Sequence, residues 1–343
     1  MFVPTCHGRA AGIAAGYLAD LLLGDPRRGH PVAGFGTVAA RLERLTYTDS
    51  RSAGLRHTVL LLSGLWLLGM LAGRRGGPAV TAAATLIALG GTSLNRAGAQ
   101  MASLLTADDI SGARELLPSL CGRDPAALDA SGIARATVES LAENTSDAQV
   151  APLLWAAVGG VPAVLVYRGA NTLDAMIGHR SPRYERFGWA AARFDDLLNY
   201  LPARVTGILA ALCAPVVGGS PVAALRAWRN DAARHPSPNA GVAEASFAGA
   251  LGVRLGGPTQ YAHRLEIRPT LGDGRIPEVA DLDRAVRLSR AVQAASALVA
   301  VVVAIARSKA LSAACRTGRR ASPRWSGESQ GSAGARRVRR AAA

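Results

Sequence analysis

The densest set of groups able to do chemistry lies in A-T-V-E-S-L-A-E-N-T-S-D, Ala136 to Asp147, where Glu139, Glu143 and Asp147 recur every fourth residue. On an α-helix that spacing lines three carboxylates along one stripe. Like charges so placed repel, so the stripe is either a solvated acidic face or a seat for a cation. Mg²⁺ suits the second reading, because it takes one or two carboxylates and completes its octahedron with water or phosphate. Glu143 and Asp147 are the candidate metal ligands.

Three further segments concentrate polar groups. In Y-R-G-A-N-T-L-D-A-M-I-G-H-R, Tyr167 to Arg180, the residues Arg168, Asn171 and Asp174 step by three and can share a face, or the Arg and the Asp can simply pair. In F-G-W-A-A-A-R-F-D-D-L-L-N-Y-L-P-A-R, Phe187 to Arg204, Arg193, Asp196 and Asn199 repeat the step, either as site residues or as interfacial anchors. In H-P-S-P-N-A-G-V-A-E-A, His235 to Ala245, two prolines and a glycine set a turn ahead of a helix near Glu244. Backbone N–H groups at such a turn can cradle phosphate, unless the turn is only a turn. Asp273 stands between two glycines in L-G-D-G. Walker A, dinucleotide-fingerprint, HExxH and nucleophile-elbow patterns are all absent from the sequence, as are paired-cysteine metal motifs.

The elements that must position these residues read as membrane helices, the alternative being the buried helices of a soluble all-helical protein, against which the Leu-rich hairpin below argues. The 343 residues are 49% hydrophobic and only 18% charged, which excludes disorder for most of the chain. Four scattered cysteines exclude a disulfide scaffold. Uncharged runs at Thr58 to Gly73 and Pro78 to Leu94 form an antiparallel hairpin, and Val150 to Tyr167, Val205 to Gly219 and Ala291 to Ala306 add three candidates. Ala10 to Leu23, carrying Asp20, reads as a first membrane or membrane-surface helix, and the N-terminus lacks the plan of a signal peptide. The expected fold is all-α: a polytopic integral membrane protein with about five transmembrane helices and long polar helical loops. Gly159, Gly160 and Pro162 interrupt the run from Val150, making it either a kinked span or two half-helices that enter and leave on one face. Arginine in nearly every connection leaves the positive-inside rule little contrast.

Of the net charge of +15, the stretch from Arg307 onward carries +9, from ten Lys or Arg against Glu328 alone. Residues 310–343 read as a disordered basic tail following a membrane domain over 1–309, and this tail can lie on anionic headgroups. With no aromatic platform or helix-turn-helix pattern beside the charge, nucleic acid is not an expected partner; the lipid bilayer is.

The sequence resembles the CobD/CbiB family of membrane-bound cobalamin-biosynthesis proteins, the adenosylcobinamide-phosphate synthases. The matching strings are Y-L-A-D-L-L-L-G-D-P with H-P-V (Tyr17 to Val32), E-S-L-A-E-N-T-S-D (Glu139 to Asp147), the segments from Tyr167 and Phe187 quoted above, H-P-S-P-N-A-G from His235, and L-G-D-G. They follow family order over roughly residues 12 to 306, with departures at Val242, Ala243, Ser146 and Gln149. The resemblance implies an ATP- and Mg²⁺-dependent ligase that joins aminopropanol phosphate, or aminopropanol, to a propionate of adenosylcobyric acid. It implies a multi-pass cell-membrane protein with cytoplasmic active loops, and other cobamide-assembly enzymes as partners. On this reading Glu139, Glu143 and Asp174 are the catalytic carboxylates, one of them the base that deprotonates the amine. Arg168, Asn171, Arg193, Arg204, His235 and Asn239 bind the anionic nucleotide and substrates. A non-catalytic membrane sensor or scaffold related to the family is the alternative; a membrane prenyltransferase would need Asp-rich N/DxxxD motifs, which Asn171 to Asp174 and Asp195–Asp196 do not make.

The tail lies outside the resemblance. Deleting the residues after Lys309 should therefore leave complementation of a cobinamide-synthesis mutant unchanged; lost growth at normal membrane levels would show that the tail takes part.

Overall fold

The computed structural model describes residues 6–26, 29–179, 181–261 and 264–320. Twelve helices and one β-hairpin follow in order among them: α1 (Cys6–Leu23), α2 (Pro31–Thr46), α3 (Arg51–Arg75), α4 (Gly77–Ala88), α5 (Gly91–Thr106), α6 (Ile110–Leu116), α7 (Ala130–Thr145), α8 (Ala151–Leu173), α9 (Trp189–Cys213), α10 (Pro221–Asp231), α11 (Ala240–Leu251), β1 (Leu255–Tyr261), β2 (Arg264–Leu271) and α12 (Val279–Arg320). Five stretches are long and apolar enough to cross a membrane: Arg51–Arg75, Gly77–Thr106, Ala130–Gly178, Trp189–Val217 and Val279–Ala310. The expected hairpin of apolar runs is α3 and α4, joined at Gly76. Local signals set the boundaries: Ser50 accepts the Ala53 N–H to open α3, Arg74 and Arg75 oppose the dipole at its end, and Asp129 accepts the Gly132 N–H to open α7.

The interrupted run from Val150 folds back on itself. Gly160 takes φ 68°, ψ −153°, a conformation open to glycine, and Pro162 follows it. Twenty residues of unbroken α-helix would separate positions 147 and 167 by ~30 Å, yet the Tyr167 hydroxyl donates to the Asp147 carbonyl at 2.8 Å. The two limbs of α8 therefore run back to one end of the bundle, as the half-helix reading has it. Arg9 of α1 reaches the break and donates to the carbonyls of Ala157 (3.4 Å) and Val158 (3.5 Å), which the break leaves without helical partners. Gly69 of α3 lets Pro162 approach so closely that a Cβ there would meet its Cα at 2.5 Å.

Packing divides along the same axis. At the fold-back end, Ala10, Ile13, Ala84, Leu153, Ala157, Val161, Ala300 and Ala304 make a core of small residues from α1, α4, α8 and α12. At the opposite end, a larger core joins α5, α6, α7, α9, α11 and the first half of α12. Polar stitches fasten α12 there: Thr145 to Ser289 at 2.6 Å, and Asn95 to Gln293 at 3.0 Å. Leucines on the outer face of α3 (Leu60, Leu67, Leu68, Leu71) are half exposed, as a lipid-facing surface requires.

Two features depart from expectation. The antiparallel hairpin β1–β2 interrupts an otherwise helical chain; L-G-G-P at its start has no strand propensity, and it forms because Gly256 and Gly257 adopt φ 81° and 86° where β1 crosses Pro269. Helix α12 also runs past residue 310 to Arg320, into the stretch read as a disordered basic tail; residues 321–343 lie outside the described residues.

The fold-back dictates sidedness. Cysteines introduced at Ser119 and Ser181, before α7 and after α8, should react alike with an impermeant thiol reagent in intact cells, and a cysteine at Arg75 oppositely. Opposite reactivity of Ser119 and Ser181 would mean that Ala130–Gly178 crosses the membrane.

Candidate active site

The limbs of α8 carry their outer ends, and the acidic residues on them, to the same place. Both ends are π-helical turns, Ser146–Val150 and Asp174–Gly178, and each holds one of the predicted carboxylates, Asp147 or Asp174. Such wide turns recur at functional sites because they displace a side chain from the regular helical stripe. Asp147 lies within electrostatic reach of Asp195, Glu143 and Asp174, with Arg168 as the opposing charge. The half-buried carboxylates of Glu143, Asp147 and Asp174 accept no hydrogen bond among the described residues.

The groups around them are firmly held. Asp195, buried, takes hydrogen bonds from Asn199 Nδ2 (2.9 Å) and Asn171 Nδ2 (3.5 Å). Asn199 Oδ1 in turn stands 2.8 Å from the Tyr167 hydroxyl. Arg168 spends Nη1 on Asn171 Oδ1 at 3.3 Å and leaves Nε buried without a partner, so it does not pair with Asp174. Gly178 leaves room for Asp174: a Cβ there would sit 1.9 Å from Oδ1.

Glu139 diverges from its stripe. It is buried in an ion pair with Arg123 and accepts the Gly256 N–H at 2.7 Å. These contacts make Glu139 an anchor for Arg123 and the hairpin, unlike Glu143 and Asp147 on the same stripe. Arg123 keeps a buried Nη1 unpartnered.

Beside this pair lies Glu244 of α11, 1% exposed, with His235 Nε2 at 3.7 Å and Arg268 Nη1 at 4.0 Å. Burial first, then the charges of Glu139 and Glu143, pushes the Glu244 carboxyl well above the usual range, and burial holds the His235 imidazole below its own. Burial so favours the neutral form of each, and Glu244 Oε2 and His235 Nε2 accept or donate no hydrogen bond among the described residues. The turn after His235 does not offer a phosphate cradle, because Ser237 Oγ takes the N–H groups of Asn239 (3.3 Å) and Ala240 (3.2 Å) to cap α11.

The remaining predicted residues sit at the margin. Arg204 stacks 3.6 Å over Tyr200 and donates to Asn239 Oδ1 at 2.8 Å, while Asn239 Nδ2 donates to the Asp196 carbonyl. Arg193 forms an exposed ion pair with Asp196 at 3.1 Å, so the three-residue step from Arg193 splits: Asn199 turns inward, Arg193 and Asp196 outward. Sequence spacing did not single out Arg123, Asp195, Glu244 or Arg268. Asp195 had a signal in its i, i+4 relation to Asn199; Arg268, on a hairpin, had none.

Among the described residues no three His, Cys, Asp or Glu side chains form a ready-made metal cluster. Mg²⁺ needs no such cluster, and half-buried carboxylates lacking protein donors fit an ion that arrives with its own waters and a polyphosphate. Glu143 and Asp147 are the residues that would hold it. Arg168 and Arg123, each with an unpartnered nitrogen, suit the anions around it.

The CobD/Cbib protein family model matches residues 13–289. The chain is 64% identical over 307 residues to the cobalamin biosynthesis protein CobD of Mycobacterium tuberculosis, covering 88% of this chain and 98% of that one. It is 44% identical over 302 residues to the protein of the same name from Rhodobacter capsulatus, covering 83% and 94%, and 44% identical over 280 residues to that from Stutzerimonas stutzeri, covering 79% and 90%. No solved structure matches. With a family model spanning its membrane body and acidic site, and relatives aligned over nearly their whole length, the chain belongs to the CobD/CbiB family of cobalamin-biosynthesis proteins.

Proposed function

We propose that the protein catalyses ATP-dependent amide ligation at the cytoplasmic face of the cell membrane. The amine of (R)-1-amino-2-propanol O-phosphate, or of aminopropanol, is joined to the propionate side chain of adenosylcobyric acid, giving adenosylcobinamide phosphate when the phosphorylated arm is used. Family membership supports the pathway. The observation that carries the chemistry is that Glu143, Asp147 and Asp174 gather without hydrogen-bonding partners beside Arg168.

A carboxylate is a poor acylating agent, and MgATP supplies the phosphoryl group that makes it one. Glu143 and Asp147 would hold the nucleotide's cation, which would offset charge on the phosphates. Arg168, supported by Asn171, receives anionic oxygen at its unpartnered Nε. Asp174, at the mouth of the turn that Gly178 opens, takes a proton from the substrate ammonium group, and the free amine so formed attacks the activated carboxyl. Asp195 is held by Asn171 and Asn199 and keeps the second limb of α8 against α9, so that Asp147 and Asp174 stay opposed. Burial raises the Glu244 carboxyl and so favours the protonated form, which can donate a hydrogen bond to a bound carboxylate or phosphate. In the net reaction the carboxylate oxygen leaves with inorganic phosphate, and ATP becomes ADP.

Purified protein in lipid nanodiscs, given ATP, Mg²⁺, adenosylcobyric acid and aminopropanol phosphate, should form the amide and release ADP and phosphate in equal amounts. Glu143→Gln and Asp147→Asn should each lower turnover by roughly 100-fold or more at normal protein level. Asp174→Asn should abolish the acid limb of the pH–rate profile while leaving nucleotide binding intact. Near-normal coupling by both the Glu143 and Asp147 variants would make the acidic stripe a solvated face.

A further inference from the structure

Helix α9 and its continuation, Trp189–Val217, have the length and apolar character of a membrane span. Their neighbours say otherwise. Helices α3 and α12 both reach the fold-back end with their C-terminal parts: Gly69 packs on Pro162, and Ala297, Ala300 and Ala304 share a core with Ala157 and Val161. Their N-termini accordingly lie together at the site end. The start of α9 sits at the start of α3, where the Arg51 guanidinium lies 5.3 Å from the Trp189 ring centroid. The other end of the stretch sits at the start of α12: Arg284, held by Asp281 at 2.8 Å, donates to the Val217 carbonyl at 3.2 Å. Both ends are therefore at one level. A crossing helix of 25 residues would carry them ~37 Å apart along the membrane normal.

Packing agrees. No residue of α9 belongs to the described core at the fold-back end, whereas its first half packs with Tyr167 and Phe187 and its second with α11 and the start of α12. Its inner face is polar at Asp195, Asn199 and Thr206. Its outer face is Leu197, Leu201, Ile208, Leu212 and Val216, all exposed, the first four at offsets of 4, 11 and 15 residues. Tyr200 and Arg204, stacked together, stand on the same outer side, the pairing of aromatic ring and long cation that anchors helices at the headgroup level.

We propose that α9 is a membrane-surface helix whose partner is the lipid of the leaflet bordering the site. Leu197, Leu201, Ile208, Leu212 and Val216 sit in the boundary between headgroups and acyl chains, and Asp195 and Asn199 face the carboxylate cluster on the opposite side. The chain after α9 then stays on the site's face of the membrane. That brings His235, Asn239, Glu244 and Arg268 to Glu143 without a second crossing. The proposal rests on helix placement and does not depend on the reaction proposed above.

Two measurements on the full-length protein in membranes test it, neither needing turnover. Single cysteines replacing Glu185, before α9, and Asn230, after it, should show the same reactivity toward an impermeant maleimide in spheroplasts and in inverted vesicles. Asn230 reacting instead like a cysteine at Arg75 would overturn the proposal. Spin labels at Leu197, Ile208 and Leu212 should report one shallow depth against lipid-bound and water-soluble relaxation agents. A depth that changes steadily, by ~20 Å between positions 197 and 212, would mean that α9 crosses.

Discussion

Mutual repulsion among Glu143, Asp147, Asp174 and Asp195 is the constraint on which the rest of the molecule depends. A fold that gathers such groups at the end of a helical bundle must hold each by something other than its neighbours. For Asp195 that support is a pair of asparagines, and for Glu139 it is Arg123 and a backbone N–H. The protein gives Glu143, Asp147 and Asp174 no such support. Arg168 is the opposing charge within reach of Asp147, and on the function proposed above a bound cation would supply the rest.

The architecture follows from assembling that cluster without exposing backbone to lipid. Folding α8 back at Gly160 brings two π-helical turns, 27 residues apart in sequence from Asp147 to Asp174, to one end of the bundle. The break costs helical hydrogen bonds, and Arg9 meets two of the freed carbonyls from the neighbouring α1. Glycines at positions 69 and 160 permit the close approach. The far end is thus built of small apolar side chains and one arginine, and the near end of carboxylates, amides and arginines.

Much of this was legible before any coordinates. The charge-free runs located α3, α4 and the second half of α12, and Gly159, Gly160 and Pro162 marked the fold-back, because a helix tolerates neither a positive-φ residue nor a missing N–H in its middle. The strings around Glu143, Asp147, Arg168 and Asp174 pointed to the site. Spacing could not separate Glu139 from its stripe, since its partner Arg123 lies on a preceding loop and Gly256 on a hairpin more than a hundred residues later. Nor could spacing tell that Asp195, not Asp196, faces inward while Arg193 pairs with Asp196 at the surface, because a three-residue step drifts around the helix where a four-residue step does not. Arg268 was out of reach of any helical rule, being on a strand that begins in glycine and proline.

The divalent-cation site proposed at Glu143 and Asp147 is tested most directly by Mn²⁺ binding followed by electron paramagnetic resonance, which needs neither corrinoid nor amine and no turnover. In the presence of ATP, the purified protein should bind one Mn²⁺ per chain, and the Glu143→Gln, Asp147→Asn double variant should leave the ion free in solution as its nucleotide complex. Equal Mn²⁺ uptake by the double variant would contradict the account.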